Sequence, residues 1–287
     1  MNALFYVNWE KESVREIVSA WVDAAGRHGI KPVFLRGEQA KTEAFASSLQ
    51  YTDHPESGRI DLVLTFGGDG TMIRALDKYA GLGCPFLGVN LGRMGFLLEA
   101  DKGQPDAALD AIAHNRYYIE KRMMLQLLTG KEQRKTALAM NEVSISRGMS
   151  QRMIAMDVFC DHQPVEHYIA DGVILSTPTG STAYSLAAGG PIVMPDVECI
   201  LINPICPHTL TSRPIILSRE KTVEVILNMK EERKGSILSV DGETVCSLEN
   251  GDRITVMRAE SSAQLVRFRM DDNFFTLIKD KLSVKTL

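Results

Sequence analysis

The sequence predicts two domains, an α/β domain with a parallel sheet over residues 1–100 and a β-rich domain over residues 101–270. Three observations support this division. The chain has 287 residues, which suffice for two domains of ordinary size. Near the N-terminus, apolar strand-like runs alternate with stretches of helical periodicity. From about Tyr117 onward, the chain instead shows short strand-like runs separated by turn residues.

The first elements are a buried strand, a helix and a second strand. The strand covers residues 3–7. The helix is predicted from apolar residues that recur at helical spacing, namely Val14, Ile17, Val18, Trp21, Val22 and Ala25. Gly26 and Gly29 end this helix, and residues 31–35 form the second strand. A weaker helix is expected over residues 40–49.

The run "RIDLVLTF" at residues 59–66 is apolar enough for a strand that is buried on both faces, as in a parallel sheet. A helix over residues 71–82, a strand over residues 84–90 and a helix over residues 104–115 follow it. Because strands and helices alternate, we expect βαβ units with right-handed crossovers.

The β-rich domain is predicted from a series of strand-like runs, at residues 117–128, 136–147, 152–160, 172–177, 214–218, 222–229, 235–240, 253–257 and 264–268. Turn residues separate these runs, as in "CDHQP" and "ENGD". The last segment, residues 271–287, has a helical pattern at its start and is expected to return to the first domain.

Composition and charge exclude several classes of protein. A net charge of −4 gives no general attraction to nucleic acid or to an anionic membrane. No apolar stretch approaches the roughly 20 residues of a membrane span, and the start of the chain lacks the basic region of a signal peptide. Five scattered cysteines fit a reducing compartment better than a disulfide framework, so we expect a cytoplasmic protein. Cys199, Cys206 and His208 lack the spacing of a standard zinc site, which favours ordinary thiols over a shared metal.

The turn "GGDG" at residues 67–70 follows the buried strand and precedes a helix predicted to begin at Thr71. Its glycines are expected to adopt positive φ angles and to bring backbone N–H groups to a phosphate chain. Asp69 is unusual there, because a carboxylate repels phosphates unless it holds a magnesium ion or accepts a proton from an attacking hydroxyl. The alternative is that Asp69 only caps the helix at Thr71 or Met72. Arg74 either reaches a phosphate or faces solvent.

A second glycine-spaced loop, "GVNLGRMGFLLE" at residues 88–99, follows the next strand. Because parallel strands end at one edge of a sheet, Asn90, Gly92 and Gly95 are expected to line the same cleft as the first turn. Core packing is the expected role of Phe96.

The segment "DGVILSTPTGSTAYSLAAGGPI" at residues 171–192 holds closely spaced small hydroxyl residues, which are Ser176, Thr177, Thr179 and Ser181. Pro178 and Gly180 favour a sharp turn, after which a helix can begin. We expect the hydroxyls and backbone amides to face a polar ligand, with the ring of Tyr184 available for stacking. The alternative is a segment chosen only for its turn chemistry.

Asn141 and Glu142 place an amide beside a carboxylate at the start of a predicted strand. Such a pair suits a diol such as a ribose, because Glu accepts hydrogen bonds and Asn both accepts and donates them. The alternative is a pair of solvated residues at a strand end.

These segments, in this order, resemble the NAD kinase family. The resemblance rests on "GGDGT" at 67–71, "GVNLGRMGFL" at 88–97, "NEVSISRG" at 141–148, "DGVILSTPTGSTAYSLAAGGPI" at 171–192 and "PHTLTSRPIIL" at 207–217. "GGDG" alone is also similar to motifs of diacylglycerol kinases, sphingosine kinases and phosphofructokinases. The "STPTGSTAY" stretch is not shared with those families, so it is the specific element.

The resemblance implies an N-terminal Rossmann-like domain and a C-terminal β-sandwich-like domain. It implies transfer of the γ-phosphoryl group of ATP to the 2′-hydroxyl of the adenosine ribose of NAD, which supplies the cell with NADP. It implies Mg²⁺ as the working ion, without assigning any residue as a metal ligand. It also implies a homodimer or homotetramer with the site near a subunit interface, and NAD and ATP as the only partners, without nucleic acid or membrane.

The resemblance assigns roles to individual residues. Asp69 would be the general base at the 2′-hydroxyl, and Gly70 follows it in the same turn. Asn141 and Glu142 would hold NAD. Further contacts with NAD are implied for Asp171, Thr182, Ala183, Tyr184, Ser185, Leu186 and Ala187, and Asp171 is a candidate to reach the ligand of a neighbouring subunit.

Three further positions are compared with the family pattern. Arg152 stands where relatives often have a basic or polar contact. Ile169 stands where many relatives have arginine or histidine, which puts the contact there and the discrimination between NAD and NADH in doubt. Glu243 stands where some relatives have glutamine, so the contact at that position differs.

Two other functions are compatible with parts of the pattern. One is a "GGDG" kinase that acts on a lipid or a sugar, against which the "STPTGSTAY" stretch argues. The other is a sensor that binds NAD or NADP without catalysis, against which Asp69 and the two glycine loops argue.

Overall fold

The computed structural model describes the chain except residues 44, 46–48, 93–94, 131–134, 229–234, 269–273 and 283–287. The chain forms two compact units, one of residues 1–121 with 263–287 and one of residues 122–262. The predicted fold class, α/β first and β-rich second, is confirmed. The predicted boundary at residue 100 precedes the helix Pro105–Ala113, whose apolar residues pack in the core of the first unit.

The helices are α1 Val14–Arg27, α2 Gln39–Thr42, α3 Asp69–Tyr79, α4 Pro105–Ala113, α5 Tyr184–Ala187 and α6 Phe274–Leu282. The strands are β1 Asn2–Val7, β2 Lys31–Leu35, β3 Gln50–Thr52, β4 Leu62–Gly67, β5 Phe86–Asn90, β6 Ala100–Asp101, β7 Tyr118–Thr129, β8 Lys135–Ala139, β9 Glu142–Ser146, β10 Ile154–Cys160, β11 Gln163–Ala170, β12 Gly172–Ser176, β13 Cys199–Ile205, β14 Ile215–Ser218, β15 Val223–Leu227, β16 Ser236–Val240, β17 Glu243–Leu248 and β18 Arg253–Arg267.

The first unit is built on a parallel sheet in the order β5-β4-β1-β2-β3. Every residue of β4 and β5 is buried, as the apolar runs predict. In their register, Gly67 at the end of β4 pairs with Asn90 at the end of β5. The chain therefore leaves both strands at the same edge of the sheet.

Helices cover both faces of this sheet. Alternate residues of β1 and β4, among them Phe5 and Phe66, share a core with Trp21 of α1 and Leu109 of α4. On the opposite face, the Thr65 hydroxyl contacts the sulfur of Met72 in α3 at 3.8 Å. Side chains alternate between the faces of a strand, so α3 lies on the face opposite α1 and α4.

Three predicted elements differ from the observed ones. The single run expected over residues 136–147 is divided between β8 and β9. Of the helix expected over residues 40–49, the structure shows α2, which ends at Thr42. Glu43, Phe45 and Leu49 are not helical, and residues 44 and 46–48 lie outside the described part of the chain. The Thr42 hydroxyl donates to the carbonyl of Gln39 at 3.0 Å, a local bond that competes with a continued helix. The two strands expected at 253–257 and 264–268 are one continuous strand, β18. Neither Gly nor Pro interrupts the sequence between them.

The second unit contains a six-stranded antiparallel sheet in the order β14-β13-β12-β9-β16-β17. A second antiparallel array places β10 between β11 and β15, with β15 paired to β18. The two layers share one apolar core, to which β9 contributes Val143, β12 contributes Leu175, β10 contributes Met156 and β15 contributes Val225. The unit is therefore a β-sandwich.

Replacement of Trp21 by alanine tests the core of the first unit. Trp21 is fully buried, packs edge-on against Phe66 at 5.5 Å and donates to the Lys102 carbonyl at 3.1 Å. We expect Trp21→Ala to lower the free energy of unfolding by about 3–5 kcal/mol, measured by urea denaturation. The control is Phe275→Ala, because Phe275 is 63% exposed. Equal losses in the two variants would contradict the assigned core.

Candidate active site

The "GGDG" turn joins β4 to α3, and its geometry corrects two expectations. None of Gly67, Gly68 and Gly70 has a positive φ, and Gly68 is extended, with φ −115° and ψ −173°. The reason for glycine at position 67 is space, since a Cβ atom there would lie 2.1 Å from the Thr71 Oγ1. The helix begins at Asp69 rather than at Thr71.

Asp69 holds the loop that follows β5. Its Oδ2 accepts a hydrogen bond from the Phe96 N–H at 2.9 Å, and its Oδ1 accepts one from the Leu97 N–H at 3.1 Å. A Cβ atom on Gly95 would lie 1.9 Å from the Asp69 Oδ1, so only glycine permits this approach. The structure thus brings the two glycine loops together, as expected from the parallel strands.

The start of α3 is exposed on one side only, since Thr71 and Met72 are buried. Gly70 and Arg74 are exposed, and the Arg74 Nη1 lies 3.9 Å from the point where a Cβ on Gly70 would be. The N–H groups of Thr71 and Met72 bond to the Gly68 carbonyl. A guanidinium therefore lies beside the accessible N-terminus of a helix, and both favour an anion.

In the second unit, the turn before β9 is held by an acid that the sequence analysis did not single out. The Asp241 carboxylate accepts hydrogen bonds from the N–H groups of Met140, Asn141 and Glu142, at 2.7, 2.7 and 2.9 Å. Asp241 has φ 48° in the β16–β17 turn. The available signal was the Asp-Gly pair of that turn, because Asp tolerates the left-handed conformation and binds nearby amides.

Glu142 is buried beside Asp241, with 6% of its surface exposed. Its Oε2 has no hydrogen-bond partner among the residues that the structure describes. Burial, and then the charge of Asp241, raise the pKa of Glu142 to about 7. This side chain can therefore donate or accept a hydrogen bond near neutral pH.

The hydroxyl-rich segment serves the fold more than the analysis of its sequence predicts. Ser176, Thr177 and Ser181 are fully buried. The Thr177 hydroxyl donates to the Met140 carbonyl at 2.7 Å, and the Ser176 hydroxyl donates to the Asn141 carbonyl at 3.2 Å. The expectation that these hydroxyls face a ligand is wrong, because they satisfy buried backbone groups instead.

The chain continues with a 3₁₀ turn at Thr179–Thr182, and the short helix α5 then covers Tyr184–Ala187. Within this stretch Ser185 and Tyr184 differ in exposure: Ser185 is fully buried, whereas 42% of Tyr184 is exposed. Thr182, Ala183 and Leu186 are half-buried, and Ala187 is exposed. Burial and then the charges of Cys206, Glu142 and Asp171 raise the pKa of Tyr184, so its phenol lies in the field of both acids.

Asp171 precedes β12 and pairs with an arginine. The Arg147 Nε lies 2.8 Å from the Asp171 Oδ1. The backbone N–H of Arg147 also donates to the backbone carbonyl of Asp171 at 2.9 Å. Arg147 ends the "NEVSISR" motif, yet the sequence alone did not mark it as a candidate. The pair orients the Asp171 carboxylate.

The remaining candidates lie on exposed parts of the second unit. Ile169 is 47% exposed on β11, and its carbonyl accepts from the His208 N–H at 2.8 Å. The exposed Arg152 precedes β10, and its N–H donates to the Ser150 hydroxyl at 3.2 Å. Glu243 begins β17 with an exposed side chain.

In the described parts of the chain, no three His, Cys, Asp or Glu side chains are grouped to hold a metal ion, and Cys199, Cys206 and His208 form no exception. No helix among the described residues is long and apolar enough to cross a membrane.

Glu142→Gln tests the buried acid through stability. Between about pH 4.5 and 7, folded Glu142 retains a proton that the unfolded chain loses, so the free energy of unfolding falls as the pH rises through this window. Glutamine stays neutral and lacks this fall. At each pH we subtract the melting temperature of the natural chain from that of the variant. We expect this difference to increase by about 3–6 °C between about pH 5 and pH 8.

The control for this measurement is Glu243→Gln, which removes an exposed carboxylate from the neighbouring hairpin. It should shift the melting temperature by less than about 1 °C over the same range. If the melting temperatures of Glu142→Gln and of the natural chain change by the same amount with pH over this range, a buried, destabilised carboxylate is contradicted.

Comparisons with known proteins agree with the motifs. The family model for the ATP-NAD kinase N-terminal domain matches residues 11–117, and that for the ATP-NAD kinase C-terminal domain matches residues 140–268. The NAD kinase of Thermoanaerobacter sp. (strain X514) is 39% identical over 84% of this chain and 87% of its own length. That of Ruminiclostridium cellulolyticum is 35% identical over 96% of this chain and 95% of its own length.

Two solved structures are also similar. Yeast NADH kinase, crystallised in complex with NADH, superposes with a TM-score of 0.89 at 28% identity and covers 100% of this chain and 89% of its own. An NAD kinase from Archaeoglobus fulgidus in complex with ATP superposes with a TM-score of 0.74 at 26% identity, and the match covers 97% of both chains.

Proposed function

The chain belongs to the NAD kinase family, and on that premise we propose which of its residues perform the reaction. The enzyme transfers the γ-phosphoryl group of ATP to NAD. The oxygen of the 2′-hydroxyl on the adenosine ribose bonds to the γ-phosphorus, the bond from that phosphorus to ADP breaks, and the hydroxyl proton must leave. The products are NADP and ADP, and the reaction supplies the cell with NADP.

Asp69 is the proposed acceptor of that proton, and its fixed carboxylate is the observation that carries the proposal. Two N–H groups orient it, one to each oxygen. An ionised carboxylate offers about four lone-pair sites on its two oxygens, so it can accept N–H groups and also take up a proton. Base catalysis of this kind contributes about 10²–10⁴-fold, and alignment and charge neutralisation supply most of the rest.

The start of α3 is the proposed phosphate site. The backbone at Gly70 is exposed beside the guanidinium of Arg74. The N-terminus of a helix attracts phosphate, and arginine binds phosphate oxygens through several N–H groups. Arg74 would therefore neutralise charge that builds up as the phosphoryl group moves.

Residues of the second unit are the proposed NAD contacts. Asn141 and Glu142 are held as one turn by Asp241, and an acid with a pKa of about 7 can pair with a ribose hydroxyl in either protonation state. Asp171 is oriented by Arg147. Tyr184 offers an exposed ring that could stack on a base.

The other proposed contacts are weaker in chemical terms. Thr182, Ala183, Ser185, Leu186 and Ala187 would contribute backbone and packing contacts around α5. Arg152 and Glu243 offer exposed charges. The aliphatic side chain of Ile169 can contribute only an apolar contact, so the choice between NAD and NADH rests on other residues.

Mg²⁺ is the proposed working ion. It commonly binds substrate phosphates, water and one or two carboxylates rather than a cage made only of protein. Asp69, the acidic residue in the first turn of α3, could supply such a carboxylate. When bound with ATP, the ion would neutralise phosphate charge.

We also propose a cytoplasmic location and a homodimer or homotetramer. All five cysteines are free thiols, which fits a reducing compartment. The second unit exposes Ile169, Tyr184 and Leu210, at 47%, 42% and 91%. Exposed apolar side chains of this size are common at contacts between subunits.

The direct test of the function is an acceptor assay. Purified protein is incubated with Mg-ATP and NAD, and NADP is detected with an NADP-specific dehydrogenase. We expect NADP formation, and NADH is included as a second acceptor because the similar yeast enzyme was crystallised with it. Phosphorylation of diacylglycerol or fructose 6-phosphate without NADP would overturn the proposal. NAD binding by calorimetry without any turnover would favour a sensor.

Asp69→Asn tests the proposed base. The amide can keep a bond to one of the two N–H groups but cannot accept the hydroxyl proton. We expect turnover to fall at least ~100-fold while the fold and the affinity for NAD persist. Asp77→Asn is the matched control, because Asp77 is an exposed acid on the same helix. Turnover close to that of the natural chain would remove Asp69 from this role.

A further inference from the structure

The segment that holds Asp69 is itself held by one buried arginine. Arg267, the last residue of β18, is 7% exposed. Its Nη2 donates to the Phe96 carbonyl at 3.0 Å, and its Nη1 donates to the Leu98 carbonyl at 3.1 Å. These carbonyls flank Leu97, one of the two residues whose N–H groups bind the Asp69 carboxylate.

Two carboxylates fix the guanidinium in turn. The Arg267 Nε lies 2.7 Å from the Glu120 Oε2, and its Nη1 lies 3.3 Å from the Glu99 Oε2. The other oxygen of Glu99 accepts from the Phe268 N–H at 2.9 Å. The Arg267 guanidinium thus donates four hydrogen bonds. Its strand, β18, pairs with β5 of the sheet at Leu265 and Phe86.

We propose that Arg267 is a positioning residue for the phosphoryl transfer, acting through residues 96–98 on the Asp69 carboxylate. This inference rests on the proposed role of Asp69 as the base. Arg267 does not touch the reacting atoms. It fixes the peptide groups whose N–H bonds set where the carboxylate points, and small displacements of a catalytic group are costly to turnover.

An arginine suits this task better than a lysine. The guanidinium presents five N–H donors in a rigid plane, so it can bind two carbonyls and two carboxylates at the same time. A lysine ammonium carries the same charge but has three donors around a single atom. Arg267→Lys therefore keeps the buried charge beside Glu120 while it cannot hold both carbonyls in place.

The second determinant of the carboxylate position is Gly95. A Cβ at this position would lie 1.9 Å from Oδ1 and 2.5 Å from Oδ2 of Asp69. Gly95→Ala therefore displaces the carboxylate while it leaves all four Arg267 bonds in place. Arg267→Lys weakens the support of residues 96–98, whereas Gly95→Ala acts directly on the Asp69 carboxylate.

The test compares turnover and Michaelis constants in the full-length enzyme. For Arg267→Lys we expect kcat to fall about 10–100-fold, while KM for NAD and for ATP changes less than about threefold. In the Asp69→Asn background the same substitution should lower kcat less than about twofold, because residues that act as one unit are not additive. Melting temperatures and circular dichroism establish that each variant is folded.

The matched control is Arg27→Lys, which replaces another arginine of the same unit that binds a carboxylate, that of Asp106, through several N–H groups. It should leave kcat unchanged. If Arg267→Lys does not fold, Glu99→Gln decides, because its amide can keep the bond from the Phe268 N–H but no longer accepts from the Arg267 Nη1, which holds the Leu98 carbonyl. The same loss of kcat and the same absence of effect in the Asp69→Asn background are expected.

Three results would overturn the inference. These are a folded Arg267→Lys or Gly95→Ala enzyme with natural kcat, a change confined to KM, or a full additional loss in the Asp69→Asn background. Failure of the proposed function is separate, since it would appear as an active Asp69→Asn enzyme. A damaging Asp69→Asn together with a harmless Arg267→Lys would reject only the positioning role.

Discussion

The carboxylate of Asp69 depends on the parallel pairing of β4 with β5. Because the two strands lie side by side and end together, the turn after β4 meets the segment after β5. The acid of the first loop then accepts two N–H groups from the second. With one bond to each oxygen, the side chain has a defined orientation before any substrate arrives. In the proposed role of Asp69 as the base, a carboxylate oriented in this way needs little rearrangement during the reaction.

The second unit uses the same physical device. Asp241 lies in a hairpin turn and gathers three successive N–H groups at the start of β9. Charge-assisted bonds of this kind are stronger than bonds between neutral groups, so a single acid can fix a whole turn. Glu142 is then buried against that acid, which raises its pKa into the neutral range. In each unit, an acid orders a loop that is distant from it in the sequence.

The segment at residues 171–192 shows how a distinctive motif can serve the fold. The hydroxyls of Ser176 and Thr177 bind the carbonyls of the turn before β9. Buried carbonyls need partners, and short hydroxyl side chains supply them without adding bulk. Tyr184 stays exposed beside this buried network, and its phenol lies in the field of Glu142 and Asp171.

The sequence by itself determined the fold class, the buried strands and the acid in the "GGDG" turn. Those features are local, since periodicity, burial pattern and turn composition are recorded in neighbouring residues. Only the tertiary structure decided what Asp69 contacts, that Asp241 holds residues 140–142, and that Arg267 binds the segment after Gly95. Asp69 lies 27 and 28 residues from its partners, and Asp241 lies about 100 residues from residues 140–142. Arg267 lies 169 and 171 residues from the carbonyls that it binds. Strand pairing creates such contacts, and no short pattern in one chain records which distant peptide groups it will bring to a carboxylate.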